Sequence, residues 1–66
     1  MTLGERIALL RNESNLTQIE FAQKFNIDKS TIAKYETDKT TPSVPMLIKL
    51  AKFFNVTTDY LLGLEN

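Results

Sequence analysis

The 66-residue sequence contains no cysteine and no histidine. Without cysteine there is no disulfide framework and no thiolate zinc site. Without either residue, a transition-metal centre lacks its usual ligands, and the common nucleophile–base pairs of covalent catalysis cannot be assembled. Glycine occurs only twice, at Gly4 and Gly63, so there is no glycine-rich loop to cradle a phosphate. No apolar run approaches the roughly 20 residues that a membrane helix needs. The opening stretch, Met1 to Arg6, has no long apolar core of the kind a secretory signal carries. Charge of one sign is missing as well: eight basic residues face eight acidic ones, for a net charge of zero. That balance counts against a strongly basic nucleic-acid binder, although local placement decides the potential at any contact surface. The expectation is a soluble cytoplasmic domain, not an enzyme, with no cofactor, no metal and no membrane segment.

What is present reads as one small helical domain spanning residues 1–66. Hydrophobic residues make up 42% and charged residues 24%, which is a globular balance rather than a disordered one. Five helical segments and no strand can be read. Thr2 and Glu5 have the spacing of a capping box, opening a helix to about Glu13 with Leu3, Ile7 and Leu10 on one stripe. Thr17 and Glu20 form a second box before a helix of about eight residues, with Phe21, Ala22 and Phe25 inward. Asn26 suits a left-handed residue after that helix. Asp28 is expected to cap the third helix with its carboxylate on the free amides, and that helix ends near Tyr35–Glu36. Ser43, with Pro45 in the first turn, opens a fourth helix. Its buried stripe is Met46, Leu47, Leu50, Ala51 and Phe54, and Asn55 ends it. Thr57 with Asp59 starts a last short helix, Tyr60 to Leu62, and Gly63 stops it.

The stretch TQIEFAQKFNIDKSTIAKYE, residues 17 to 36, is the informative one. Two helical runs are separated by Asn26-Ile27-Asp28. With Ile32 set toward the core, about 100° per residue puts Ser30 and Lys34 outward, flanked by Thr31 and Ala33, with Lys29 at the N-terminal margin. Side chains there are short and polar, so the backbone could approach a concave surface such as the DNA major groove. A solvated helix has such a face too. Two short helices joined by a three- or four-residue turn, with small Ala22 at their crossing, have the form of a helix-turn-helix.

The pattern LTQxxxAxxxxIxxxTIxxYE, then P-S, then LIKLAKFFNV and DYLLG, covers nearly the whole chain. It resembles the lambda-repressor-like helix-turn-helix family, in its phage repressor, Cro and xenobiotic-response-element branch. The resemblance implies an all-α, compact five-helix DNA-binding domain with helices 2 and 3 as the motif. It implies a bacterial or phage transcriptional regulator, a repressor, that inserts helix 3 into the major groove of double-stranded DNA at a palindromic operator, as a homodimer at least on DNA. Carried over residue by residue, Lys29, Ser30, Thr31, Ala33 and Lys34 would contact bases. Thr17, Gln18, Thr37, Lys39, Thr40 and Thr41 would contact phosphates. Arg11 and Glu36 would form a structural ion pair. Apart from the resemblance, Val56, Tyr60, Leu61 and Leu64 at helix 5 and its entry are more apolar residues than a five-helix core of this size needs; some are core, and Val56, Tyr60 and Leu64 are expected to contribute to a dimer contact.

Two positions depart from the family, which often has glycine at Asn26 and at Asp38. Asp38 puts an acid beside the expected phosphate loop, so it is expected to weaken binding or reshape the turn. Residues 17–41 hold four lysines and four acids, which predicts modest affinity for nonspecific DNA. The alternative is a protein-interaction module or antitoxin-type regulator built on the same fold.

Overall fold

A computed structural model of the chain describes residues 1–65; the expected last residue of the domain, Asn66, lies outside the described residues. The elements are α1 (Leu3–Glu13), α2 (Gln18–Lys24), α3 (Lys29–Glu36), α4 (Val44–Phe54) and α5 (Thr58–Leu62). The domain is all-α, as expected.

Local sequence sets nearly every helix start. Thr2 accepts from the Glu5 amide while Glu5 accepts from the Thr2 amide, and Thr17 and Glu20 repeat the exchange at α2. Each box satisfies two donors that a helix start leaves open. Ser43 caps α4 and Thr57 caps α5 through their side-chain oxygens. Because Thr57 is the cap, α5 begins at Thr58, two residues before the expected Tyr60. Asp28 occupies the N-cap of α3 with an extended backbone, but its side chain makes no cap hydrogen bond. Its contribution is therefore reduced to a negative charge at the positive end of the helix dipole.

With glycine scarce, asparagine and aspartate make most of the left-handed breaks. Asn15, Asn26, Asp38 and Asn55 have φ between 56° and 60°. Short polar side chains tolerate this conformation better than other non-glycine residues. Two of these positions, 26 and 38, are those at which the resemblance led to an expectation of glycine.

The core is one cluster: Ile7, Phe21, Ala22, Ile32, Leu47, Leu50, Ala51 and Leu61, drawn from all five helices. Leu3, Leu10, Phe25, Ile27, Met46, Phe54 and Val56 pack around it. The apolar stripes read from the sequence therefore face inward. Ile27 fills the turn between α2 and α3, and Ala22 lets them cross closely. A long-range feature adds to this. A Cβ built on Gly4 would lie 2.3 Å from the Tyr35 carbonyl oxygen and 2.8 Å from that of Glu36. Only a hydrogen fits there, so the start of α1 rests directly on the end of α3.

Candidate nucleic-acid interface

The third helix is held by its inner side. Ile32 is fully buried, while Lys29, Ser30 and Lys34 are exposed and Thr31 and Ala33 are half-buried. The outward face is thus small-sided, with an ammonium group toward each end. Thr37, Lys39, Thr40 and Thr41, in the loop that follows, are also exposed. The amides of Lys39 and Thr40 donate to the Lys34 carbonyl, at 2.9 and 3.4 Å, which folds this loop back over the end of α3.

A buried polar network fixes the helix on which that face sits. The Arg11 Nε donates to Glu36 Oε2 at 2.6 Å and its Nη2 to Oε1 at 3.1 Å. Gln18 Nε2 donates to the same Glu36 Oε1 at 3.0 Å. The remaining guanidinium nitrogen, Nη1, donates to the Leu16 carbonyl at 2.8 Å. Only 13% of the Arg11 side chain and 7% of the Glu36 side chain are accessible. One carboxylate therefore ties together α1, the start of α2 and the end of α3. Paired, charge-assisted bonds of this kind give geometric specificity as well as energy. Arg11 and Glu36 form the ion pair read from the sequence. Gln18, expected to contact phosphate, is half-buried and bound to that pair, which leaves one of its amide hydrogens open.

The hydroxyls of the expected phosphate contacts differ in what they have left to offer. Thr17 Oγ1 accepts from the Glu20 amide at 3.1 Å, so its hydrogen remains available to a phosphate. Thr37 Oγ1 instead donates to the Ala33 carbonyl at 2.8 Å, which commits its single hydrogen. Phosphate is an acceptor, so a contact from Thr37 requires that bond to be released. The Thr17 amide, donating to its carboxylate, holds the pKa of Glu20 below the ordinary carboxylate value of 4.5.

Asp38 is the residue that sequence reasoning placed least well. Its backbone is left-handed, the conformation that a glycine there would also adopt. Its carboxylate is not left free in the loop. Oδ2 accepts from the Thr2 hydroxyl at 2.6 Å and Oδ1 from the Gly4 amide at 2.9 Å. The negative charge is directed at the start of α1, and with the Gly4 contact it clamps the loop carrying Lys39 to the rest of the domain. The signal lay in Thr2 and Gly4, whose partner is more than 30 residues away.

The neutral composition of residues 17–41 also sorts in space. Glu20 accepts from Thr17, Glu36 from Arg11 and Gln18, and Asp38 from Thr2 and Gly4. Of the four acids, Asp28 alone accepts no side-chain hydrogen bond among the described residues. Lys29, Lys34 and Lys39 stay exposed. Among the described residues no group of three or more Asp and Glu side chains is placed to hold a metal ion.

At the other expected surface, Val56 packs on the core and Tyr60 is half-buried. Leu64 is 71% exposed, and Leu62 beside it is 45% exposed. Val56 is thus chiefly a core residue, and the apolar material open to solvent lies at the end of α5.

The sequence profile of the helix-turn-helix family matches residues 7–61. This chain belongs to that family. Relatives include the HTH-type transcriptional regulator ImmR of Bacillus subtilis (strain 168), 43% identical over 63 residues covering 96% of this chain and 50% of that protein. The immunity repressor protein of Bacillus phage phi105 is 35% identical, covering 98% of this chain and 45% of the repressor. This helix-turn-helix chain therefore spans about half the length of these curated relatives. Among solved structures, the P22 c2 repressor protein, crystallised with synthetic operator 9T and Tl+, superposes with a TM-score of 0.89. Its identity is 26% and the match covers 98% of both chains. The fold of this helix-turn-helix domain is lambda-repressor-like.

Proposed function

We propose that this chain is a sequence-specific DNA-binding transcriptional regulator, a repressor, that seats α3 in the major groove of an operator. One observation carries the reading: a helix anchored by fully buried Ile32 turns exposed Lys29, Ser30 and Lys34 away from the core. Family membership and the superposition on the P22 c2 repressor support it. The lysines offer donors to guanine O6 and N7, Ser30 and Thr31 donate or accept, and the Ala33 methyl suits a thymine methyl. Lys39, Thr40 and Thr41 meet phosphate from the loop, and Thr17 and Gln18 do so from the start of α2. The Arg11–Glu36–Gln18 network and the Asp38 clamp hold these groups in one register. Binding is as a homodimer on a palindromic site, through Leu64 and Tyr60 with Leu62 beside them. Half-sites would then lie about one helical turn, roughly 34 Å, apart.

Selection of duplexes from a random library at a stated salt concentration tests this. Enrichment of a two-fold motif is the expected result. A library that enriches no sequence overturns the reading in favour of an interaction module on the same fold.

A further inference from the structure

A second cationic surface lies away from α3. A groove of about 500 Å³ is lined by Lys24, Phe25, Asn26, Lys49, Lys52 and Phe53. It runs between the end of α2 and the second half of α4, and neither α3 nor the loop 37–41 contributes to its walls. Its floor is aromatic. Phe53 meets Phe25 and Phe54 edge-to-face with ring centroids 5.1 and 5.0 Å apart, yet 40% of Phe53 remains accessible. Its rim is basic. Lys24, Lys49 and Lys52 have no carboxylate within 4.0 Å among the described residues. Glu20, one turn before Lys24, has its carboxylate bound to the Thr17 amide. Ile48 and Val44, one turn apart on α4, are exposed too, but they lie outside the groove, Ile48 being about 140° round the helix from Phe53.

We propose that this groove docks an acidic segment of a protein partner, one that carries a bulky aliphatic side chain. The aromatic floor requires an apolar anchor, and the lysine rim complements carboxylates placed beside that anchor. Duplex DNA supplies the negative charge but keeps its apolar base faces stacked inside, with nothing to seat on Phe25 and Phe53. Because its walls exclude α3, the groove can be filled while the reading face is occupied. The proposal stands independently of the DNA reading.

The probes are three synthetic peptides: an amphipathic leucine–glutamate helix, the same peptide with lysine for glutamate, and the same with serine for leucine. Each is titrated into the isotope-labelled chain and followed by amide chemical shifts. The leucine–glutamate peptide is expected to produce saturable shifts at residues 24–26 and 49–53, weakening with salt, while the other two produce none. Lys49→Glu combined with Lys52→Glu is expected to reduce affinity by about tenfold or more through lost charge complementarity. Both are exposed surface positions, so the fold is retained, as the variant's own spectrum records. Phe53→Ala removes the floor and is expected to abolish the shifts. Equal response to the lysine peptide, no saturable shift, or shifts centred on α3 would overturn the proposal. So would loss of operator affinity in the Lys49/Lys52 variant, which would assign the groove to nucleic acid.

Discussion

The domain carries two groups of three lysines on different backgrounds. Lys29, Lys34 and Lys39 stand around serine, threonine and alanine on α3 and the loop after it. Lys24, Lys49 and Lys52 stand around Phe25 and Phe53. The remaining basic side chains are engaged: Arg11 on Glu36, and Arg6 on the Met1 carbonyl. Charge is therefore the same on both faces, and the side chains between the charges differ. Small side chains let a backbone come close to base edges, while exposed rings ask for apolar contact. A net charge of zero thus conceals two positive faces with different side chains between the charges, because three of the four acids in residues 17–41 are bound by donors within the domain.

The largest expected effect falls on both faces together. Glu36→Ala leaves Arg11 and Gln18 without their shared acceptor, and losing one partner of a mostly buried pair costs about 3 kcal/mol. Urea denaturation checks that value, and a change within 0.5 kcal/mol would remove the network from its proposed role. The next effect separates the faces. Lys34→Ala is expected to weaken binding to a selected operator by about 1–3 kcal/mol and to relax preference at particular base pairs. Lys49→Ala is expected to leave operator binding unchanged in the same titration. Equal losses from both substitutions would dissolve the distinction.

A smaller effect distinguishes loop from helix within the first face. Lys39→Ala is expected to weaken all duplexes alike and to lower the salt slope by about one unit, the signature of a phosphate contact. Altered base preference instead would move Lys39 to the base-reading set. Smallest is the capping box of α2. Because folding lowers the pKa of Glu20, its contribution is present above the ordinary carboxylate value of 4.5 and fades as pH falls through the folded value. A side-chain titration of Glu20 is expected to have its midpoint below 4.5. A midpoint at or above it would mean that the box does not hold the ionised form.

The sequence made the helices and the face of α3 legible because those signals are local. Thr2 with Glu5, Thr17 with Glu20, and the apolar spacing around Ile32 each complete their pattern within one or two turns. Asn26 could be read as left-handed for the same reason. The clamp at Asp38 could not, since its donors, Thr2 and Gly4, arrive from the other end of the chain. Nothing near Gly4 in the chain points to its role, which comes from the Tyr35 and Glu36 carbonyls of α3 lying against it. Phe53 stood outside the expected α4 stripe, and its meaning depends on Phe25 of α2 lying alongside. Val56 was read as surplus apolar surface, but five short helices need it against the core.

Amide chemical-shift mapping of the chain with a duplex selected from the random library tests the central claim most directly. The account predicts perturbations concentrated at residues 29–34 and 37–41, with residues 49–53 unmoved. Perturbations centred on residues 49–53, with Ser30 and Lys34 silent, would contradict it.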